Sequence, residues 1–344
     1  MGLALLRIAG WFAVLPWLAC TFLVVTGGSS WSAIVTMLAA GVVLAGLLTL
    51  PFPEQPWRRR RGVVRGGLVA IALVTLVHVL TIGNGRTLRL LDQDGKSPRA
   101  VTRLFEEPDI AVAAARAAYG IGFLHDDGDD APRAFRAAYE ELVKEEGRLP
   151  APVFPTHLGL ERAGSFDLAL VDDAPGKTTD AVVFLHGSAG NFLLPCWHFA
   201  KAVRPLHIAM ACPSTGWTAD WGSPDGEATV RKTLAVLRAR GFQRFLLAGL
   251  SAGGIGASVL ASRIEGLRGL VLVSGADPEA PHPGIATLLL HGVEDRHVDV
   301  DDARAYATRT GATLEEYPGR GHFVFLVRYD ELAARIRAFV GPLF

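Results

Sequence analysis

The sequence is poor in the features that mark several large protein classes. Its 344 residues include only three cysteines, Cys20, Cys196 and Cys212, at spacings that match neither a metal cluster nor a disulfide framework. No metal site and no cofactor are expected on that ground. Neither sign of charge is in excess, since Lys+Arg and Asp+Glu both number 34. Without a basic surplus to neutralise phosphates, no nucleic-acid partner is expected. Charge is also sparse, at 20% of residues against 50% hydrophobic, and mean hydropathy is +0.30. Part of the chain is therefore expected to sit in lipid.

What is present begins with three apolar stretches, 3–25, 31–50 and 63–82, each about the 20 residues that cross a bilayer core as a helix. The middle one has no charged residue. The first carries Arg7 and Pro16, and the third carries Arg65 and ends near His78, read as a helix-end histidine with a headgroup or carbonyl partner. A cleaved signal peptide is set aside, because the basic start is weak and no small-residue cleavage site precedes a polar sequence. The link before the third stretch holds Arg58, Arg59, Arg60 and Arg61, and the link 26–30 holds no charge. The positive-inside rule then puts the arginines in the cytoplasm and everything after about residue 82 outside it. The expectation is a multi-pass membrane protein with about three spans and a globular part on the extracytoplasmic side. Three spans without paired intramembrane charges make a poor transport path, so anchoring in the bilayer is the simpler role.

Three regions follow: a transmembrane region 1–83, a helical linker 84–152, and a globular domain 153–344. The linker has two helical stretches, 110–119 and 132–146, split by Asp126-Asp127-Gly128-Asp129-Asp130. That acidic turn lacks the ordered spacing of a calcium loop and reads as solvated. Past residue 165, short apolar runs at 182–185, 207–211, 245–248, 270–273 and 287–290 alternate with helical stretches. Such alternation predicts a mostly parallel sheet flanked by helices. Cys196 and Cys212 both fall in this domain, where one bridge in an oxidising compartment and two small buried thiols are the alternatives.

The chemistry is carried by Gly249-Leu250-Ser251-Ala252-Gly253, a G-x-S-x-G string between a predicted strand and a predicted helix. Glycines there let the chain turn sharply and lift a serine hydroxyl above the sheet edge. A serine needs a base to take its proton and a third group to orient that base. Asp295 follows the run 287–290 as the acid, and His322 follows the strand-like 312–317 as the base. Rival acids are Glu294, Asp299 and Asp301; rival bases are His291 and His297. Glu294 precedes the acid's place, Asp299 and Asp301 fit the cap and first turn of the next helix, and the two histidines share the acid's own loop. Oxyanion donors are expected from the backbone amides of Ala252 and Ser188, with Ala189 as the alternative to Ser188. His186 reads as holding that loop. Trp217 and Trp221 are candidates for a substrate pocket, with packing on the domain's flank as the alternative.

From 165 to 344 these motifs resemble the α/β-hydrolase superfamily, in its esterase, dienelactone-hydrolase-like and peptidase-like branches. The resemblance rests on the loop His186 to Gly190, the elbow at Ser251, the Gly292-x-x-Asp295-x-x-Val298 segment and the pair Gly321-His322, in family order. It implies an α/β-hydrolase fold and a serine hydrolase. The short 274–286 connection, where many relatives insert a cap, implies an open site without a large lid. The function expected is hydrolysis of a carboxylic ester, in the manner of a carboxylesterase or lipase, on an acyl substrate that could be lipid or cell-envelope derived. A serine peptidase and a non-catalytic membrane scaffold are the alternatives.

Overall fold

The computed structural model describes residues 2–27, 29–48, 57–97, 100–152, 156–160, 164–172, 176, 178–190 and 193–344. The end of the second expected span at 49–50, the link at 51–56 and the expected domain boundary at 153 lie outside them. Two compact units divide the chain: Met1–Gly83 with Pro108–Ile121, and Asn84–Glu107 with Gly122–Phe344.

The first unit contains α1 (Gly2–Gly27), α2 (Trp31–Leu48) and α3 (Trp57–Thr81). Two helical segments, Trp31–Leu48 and Arg61–Thr81, are long and apolar enough to cross a membrane, rather than the three expected. In α1 the described apolar part is Gly10–Val25. Small residues let these helices approach closely. A methyl group added at Gly46 would lie 2.7 Å from Val64 Cγ2, and one at Gly67 would lie 2.6 Å from Val43 Cγ2. Their outer faces stay apolar and bare, with Leu38 59%, Leu73 57% and Leu80 72% exposed. After a polar connection, α4 (Glu107–Gly120) contributes to this unit Asp109, whose carboxylate accepts from the amide of Ser30 at 2.9 Å, just before α2.

The second unit is built on eight strands: β1 (Leu88–Asp92), β2 (Asp167–Val171), β3 (Asp180–Leu185), β4 (Ala209–Pro213), β5 (Arg244–Leu250), β6 (Leu267–Val273), β7 (Thr287–Gly292) and β8 (Thr313–Tyr317). They form one sheet in the order β1-β2-β4-β3-β5-β6-β7-β8. Pairing is antiparallel for β1 with β2 and for β2 with β4, and parallel from β4 to β8. Every residue of β3 is buried, as suits a central parallel strand covered on both faces. Around the sheet lie α5 (Asp130–Glu146), α6 (Leu193–Val203), α7 (Pro224–Ala239), α8 (Ala252–Leu260), α9 (Val300–Thr310), the single turn α10 (Val324–Val327) and α11 (Tyr329–Val340). No helix lies between β6 and β7. The mostly parallel sheet, its order and the tight turn from β5 into α8 define an α/β-hydrolase fold.

Two strands lie outside the predicted runs. β1 comes from the segment read as a helical linker, and it is tied in by a buried carboxylate: Glu146 accepts from the amides of Thr87 at 2.8 Å and Leu88 at 3.1 Å. β2 pairs with it residue for residue, Leu88 opposite Val171. Both are only five residues long, too short for alternation to stand out.

Cys196, in the first turns of α6, and Cys212, in β4, are joined by a disulfide across 16 positions of sequence. Closing a loop of that length removes unfolded-chain entropy worth about 3 kcal/mol. The Cys196→Ser, Cys212→Ser double variant of the full chain is therefore expected to melt roughly 6–12 °C lower than the parent by circular dichroism. Equal melting of the two under non-reducing conditions would mean that no bridge forms.

Candidate active site

The site is assembled at the carboxyl ends of the parallel strands, where an open α/β sheet gathers its ligands. Ser251 sits between β5 and α8 with φ 57° and ψ −126°, a conformation that costs about 1–3 kcal/mol for a residue with a Cβ. It is held there by its surroundings. The Ser251 amide donates to Val273 O at 2.8 Å, and Ile255 N donates back to Ser251 O at 3.0 Å. A methyl group on Gly253 would collide with the carbonyl oxygen of Leu185, and one on Gly249 with that of Gly253. Only glycine on both sides lets backbone pass this close, which is the physical content of the G-x-S-x-G string.

Asp295 and His322 are brought together. His322 Nδ1 donates to Asp295 Oδ2 at 2.8 Å, which fixes the tautomer with Nε2 bare. Asp295 Oδ1 accepts the amides of His297 at 2.9 Å and Val298 at 3.0 Å. His291, fully buried, adds Nε2 at 3.3 Å from Asp295 Oδ2 and 3.1 Å from Val298 O. Burial alone would raise the Asp295 carboxyl, but the hydrogen bonds from His291 and His322 outweigh it and hold the group well below the usual carboxylate range. Among the described residues no hydrogen bond joins Ser251 Oγ to His322; such bonds commonly tighten only when substrate is present.

The rivals go elsewhere. Asp299 caps α9 by accepting from Asp301 N at 3.0 Å, Asp301 pairs with Arg304 at 2.8 Å, and Glu294 is exposed. Gly187 passes next to the serine, with space for a methyl group only 3.1 Å from Ser251 Cβ. Beyond it, Ala189 turns back at φ 72° and spends its amide on Trp217 O at 2.9 Å. That bond occupies the Ala189 amide. Ala252 opens α8, so its amide has no acceptor within the helix. His186 accepts from Thr215 N at 3.0 Å through Nε2 and donates Nδ1–H to Gly187 O at 2.7 Å, so it shapes the loop.

The two tryptophans part company. Trp217 is 55% exposed on the segment that holds the Ala189 turn. Trp221 is 1% exposed, donates Nε1–H to His186 O at 2.9 Å and packs on Gly256. It braces the loop from inside and lines no open surface, contrary to the pocket reading.

The acidic turn, expected to be solvated, is instead bonded to the loops around Asp295 and His322. Asp126 is 4% exposed; its carboxylate takes Arg296 N at 3.0 Å and pairs with His297 Nε2 at 3.0 Å. Asp127 accepts Gly321 N at 2.9 Å and Phe323 N at 3.1 Å.

No family model matches the chain, and no curated protein matches it. Several solved structures are similar. A predicted CIB-like hydrolase from Thermoplasma acidophilum is 20% identical, with 52% of this chain and 93% of that one covered and a TM-score of 0.44. An esterase from Pyrococcus furiosus is 13% identical, with 52% and 87% covered and a TM-score of 0.43. A member of the α/β serine hydrolases without a lid, from Xanthomonas campestris, is 20% identical, with 50% and 88% covered and a TM-score of 0.43.

Three histidines of this unit are held neutral. Burial pushes His186 down to about 4, His157 down to about 3 with His186 nearby adding to it, and His198 down to about 3 with Lys201 adding to it. An unfolded histidine protonates near 6.5, so the unfolded chain binds more protons than the folded one below that pH. Their contribution to stability is complete above pH 6.5 and is lost as pH falls toward 4. Urea midpoints measured from pH 7 to pH 4.5 should therefore fall steeply below 6.5, with a slope reporting uptake of about three protons on unfolding. A flat profile across that window would contradict the neutral assignment.

Proposed function

We propose that this chain is a membrane-anchored serine hydrolase that cleaves a carboxylic ester through an acyl-enzyme, with Ser251 as nucleophile, His322 as base and Asp295 as acid. The observation that carries the reading is a strained serine on a strand-to-helix elbow at the same sheet edge as a histidine hydrogen-bonded to a buried, ionised aspartate.

In this mechanism Ser251 Oγ attacks the carbonyl carbon while His322 Nε2 takes its proton. The oxyanion collects the amide hydrogens of Ala252 and Ser188, donors already fixed before charge develops. Collapse expels the alcohol, which takes the proton from the imidazolium. Water then repeats the sequence on the acyl-enzyme, with His322 as base, and releases the acid. Asp295 stays ionised throughout; its depressed carboxyl stabilises the imidazolium and receives no proton. Trp217, exposed beside the Ala189 turn, is assigned to contact the acyl or leaving group.

Anchoring is supported by two apolar helices, Trp31–Leu48 and Arg61–Thr81, whose most apolar stretches are only 17% and 11% buried. A core helix of a soluble protein of this hydropathy would be covered, and a bare apolar face of this kind calls for lipid. The run Arg58 to Arg61 against the uncharged link 26–30 supports, by the positive-inside rule, an extracytoplasmic hydrolase unit. The Cys196–Cys212 bridge agrees with an oxidising compartment.

A fluorophosphonate probe tests the chemistry on the full chain in detergent. Wild type is expected to label; Ser251→Ala and His322→Ala are expected to abolish labelling. Asp295→Asn, which disturbs the tautomer, is expected to slow ester turnover by about 10³- to 10⁴-fold. Undiminished labelling of Ser251→Ala would reject Ser251 as the nucleophile.

A further inference from the structure

The turn before α5 reaches both loops that hold the acid and the base, and it does so with two adjacent carboxylates. Asp127 stands at φ 58°, the left-handed conformation that Asp tolerates better than most residues. From there its two oxygens accept from the amides of Gly321 and Phe323, at 2.9 and 3.1 Å. Those are the residues immediately before and after His322. One carboxylate thus holds the peptide that follows His322 and the peptide one residue before it, clamping the short backbone segment from which the imidazole leaves the chain.

Asp126 does the same for the acid's loop. Oδ1 accepts the amide of Arg296, the residue after Asp295, and Oδ2 pairs with His297, whose ring stands edge-on to His322 at 5.1 Å between centroids. The approach is too close for a side chain at 321, since a methyl group there would lie 2.7 Å from Asp126 Oδ1. Arg320 extends the contact to Asp130 at 3.1 Å. Charge-assisted bonds from carboxylate to amide are about twice as strong as neutral ones, and a partly buried pair of them outlasts screening by salt.

We infer that Asp127 is a positioning residue for His322 and Asp126 its counterpart for the Asp295 loop, so that the acidic turn sets the alignment of base and acid. This rests on the hydrolase reading above. The turn's carboxylates engage the loops that carry the base and the acid, so its effect falls on proton transfer and leaves substrate binding alone.

The test uses the full chain in detergent, each variant assayed well below its melting midpoint, with a p-nitrophenyl ester as substrate. Asp129→Ala is the control, because Asp129 lies on the same turn and its side chain makes no cap hydrogen bond. Asp127→Ala is expected to lower kcat by about 10- to 100-fold with KM within about two-fold, the cost of misplacing a reacting group by around 1 Å. Asp127→Asn, which keeps one acceptor, should fall between Asp127→Ala and wild type. Wild-type kcat in Asp127→Ala, or losses in KM alone, would overturn the inference. Should wild type itself hydrolyse nothing, the hydrolase reading fails, and the geometry is read from the low-field proton of the His322 Nδ1–H bond to Asp295 in histidine-labelled protein. Its loss in Asp127→Ala but not in Asp129→Ala supports positioning, and its persistence in both overturns it.

Discussion

The buried carboxylate of Asp295 is the constraint around which the second unit's upper edge is arranged. A charge with no exposed surface costs several kcal/mol unless donors replace its water, and here they come from three directions: His322 from the β8 loop, His291 from the end of β7, and the amides of His297 and Val298 from its own loop. Satisfying that charge draws the β7 and β8 loops together. It also dictates which nitrogen of His322 carries the proton, and so which one is left bare.

Once those loops meet, the remaining parts follow from close packing of backbone. Glycines at 249 and 253 let α8 start directly over β5, and the strain at Ser251 persists because hydrogen bonds to Val273 and Ile255 hold both of its peptide groups. On the other side, His186 and Trp221 brace the loop that carries Ser188. The scaffold is thus braced at the elbow and at this loop, and the β6–β7 connection carries no inserted helix.

Much of this was legible in the sequence because it is local. Five of the six parallel strands announce themselves as apolar runs and β8 as the strand-like 312–317, and the elbow, the acid's loop and the Gly321-His322 pair lie at the ends of these segments. What escaped was nonlocal. β1 and β2 are brief and are defined by pairing with each other across nearly eighty residues, and the acidic turn binds amides 170 to 196 positions away. An Asp-rich turn with ordinary turn chemistry gives no sign of a partner that distant. Trp221 illustrates the same limit in reverse: its residue type suits a pocket, but the neighbouring Gly256 and the His186 carbonyl claim it for the interior. In the first unit, α2 and α3 hold the two segments that are long and apolar enough to cross a membrane among the described residues.

In the proposed mechanism Ser251 becomes acylated during turnover. Rapid quenching of the full chain after a few milliseconds with a p-nitrophenyl ester, followed by peptide mass spectrometry, addresses it directly. The account predicts a burst of nitrophenol close to the enzyme concentration and an acyl group on the peptide containing Ser251. Product formed without any burst and without acyl-Ser251, or an acyl group found on another residue, would contradict it.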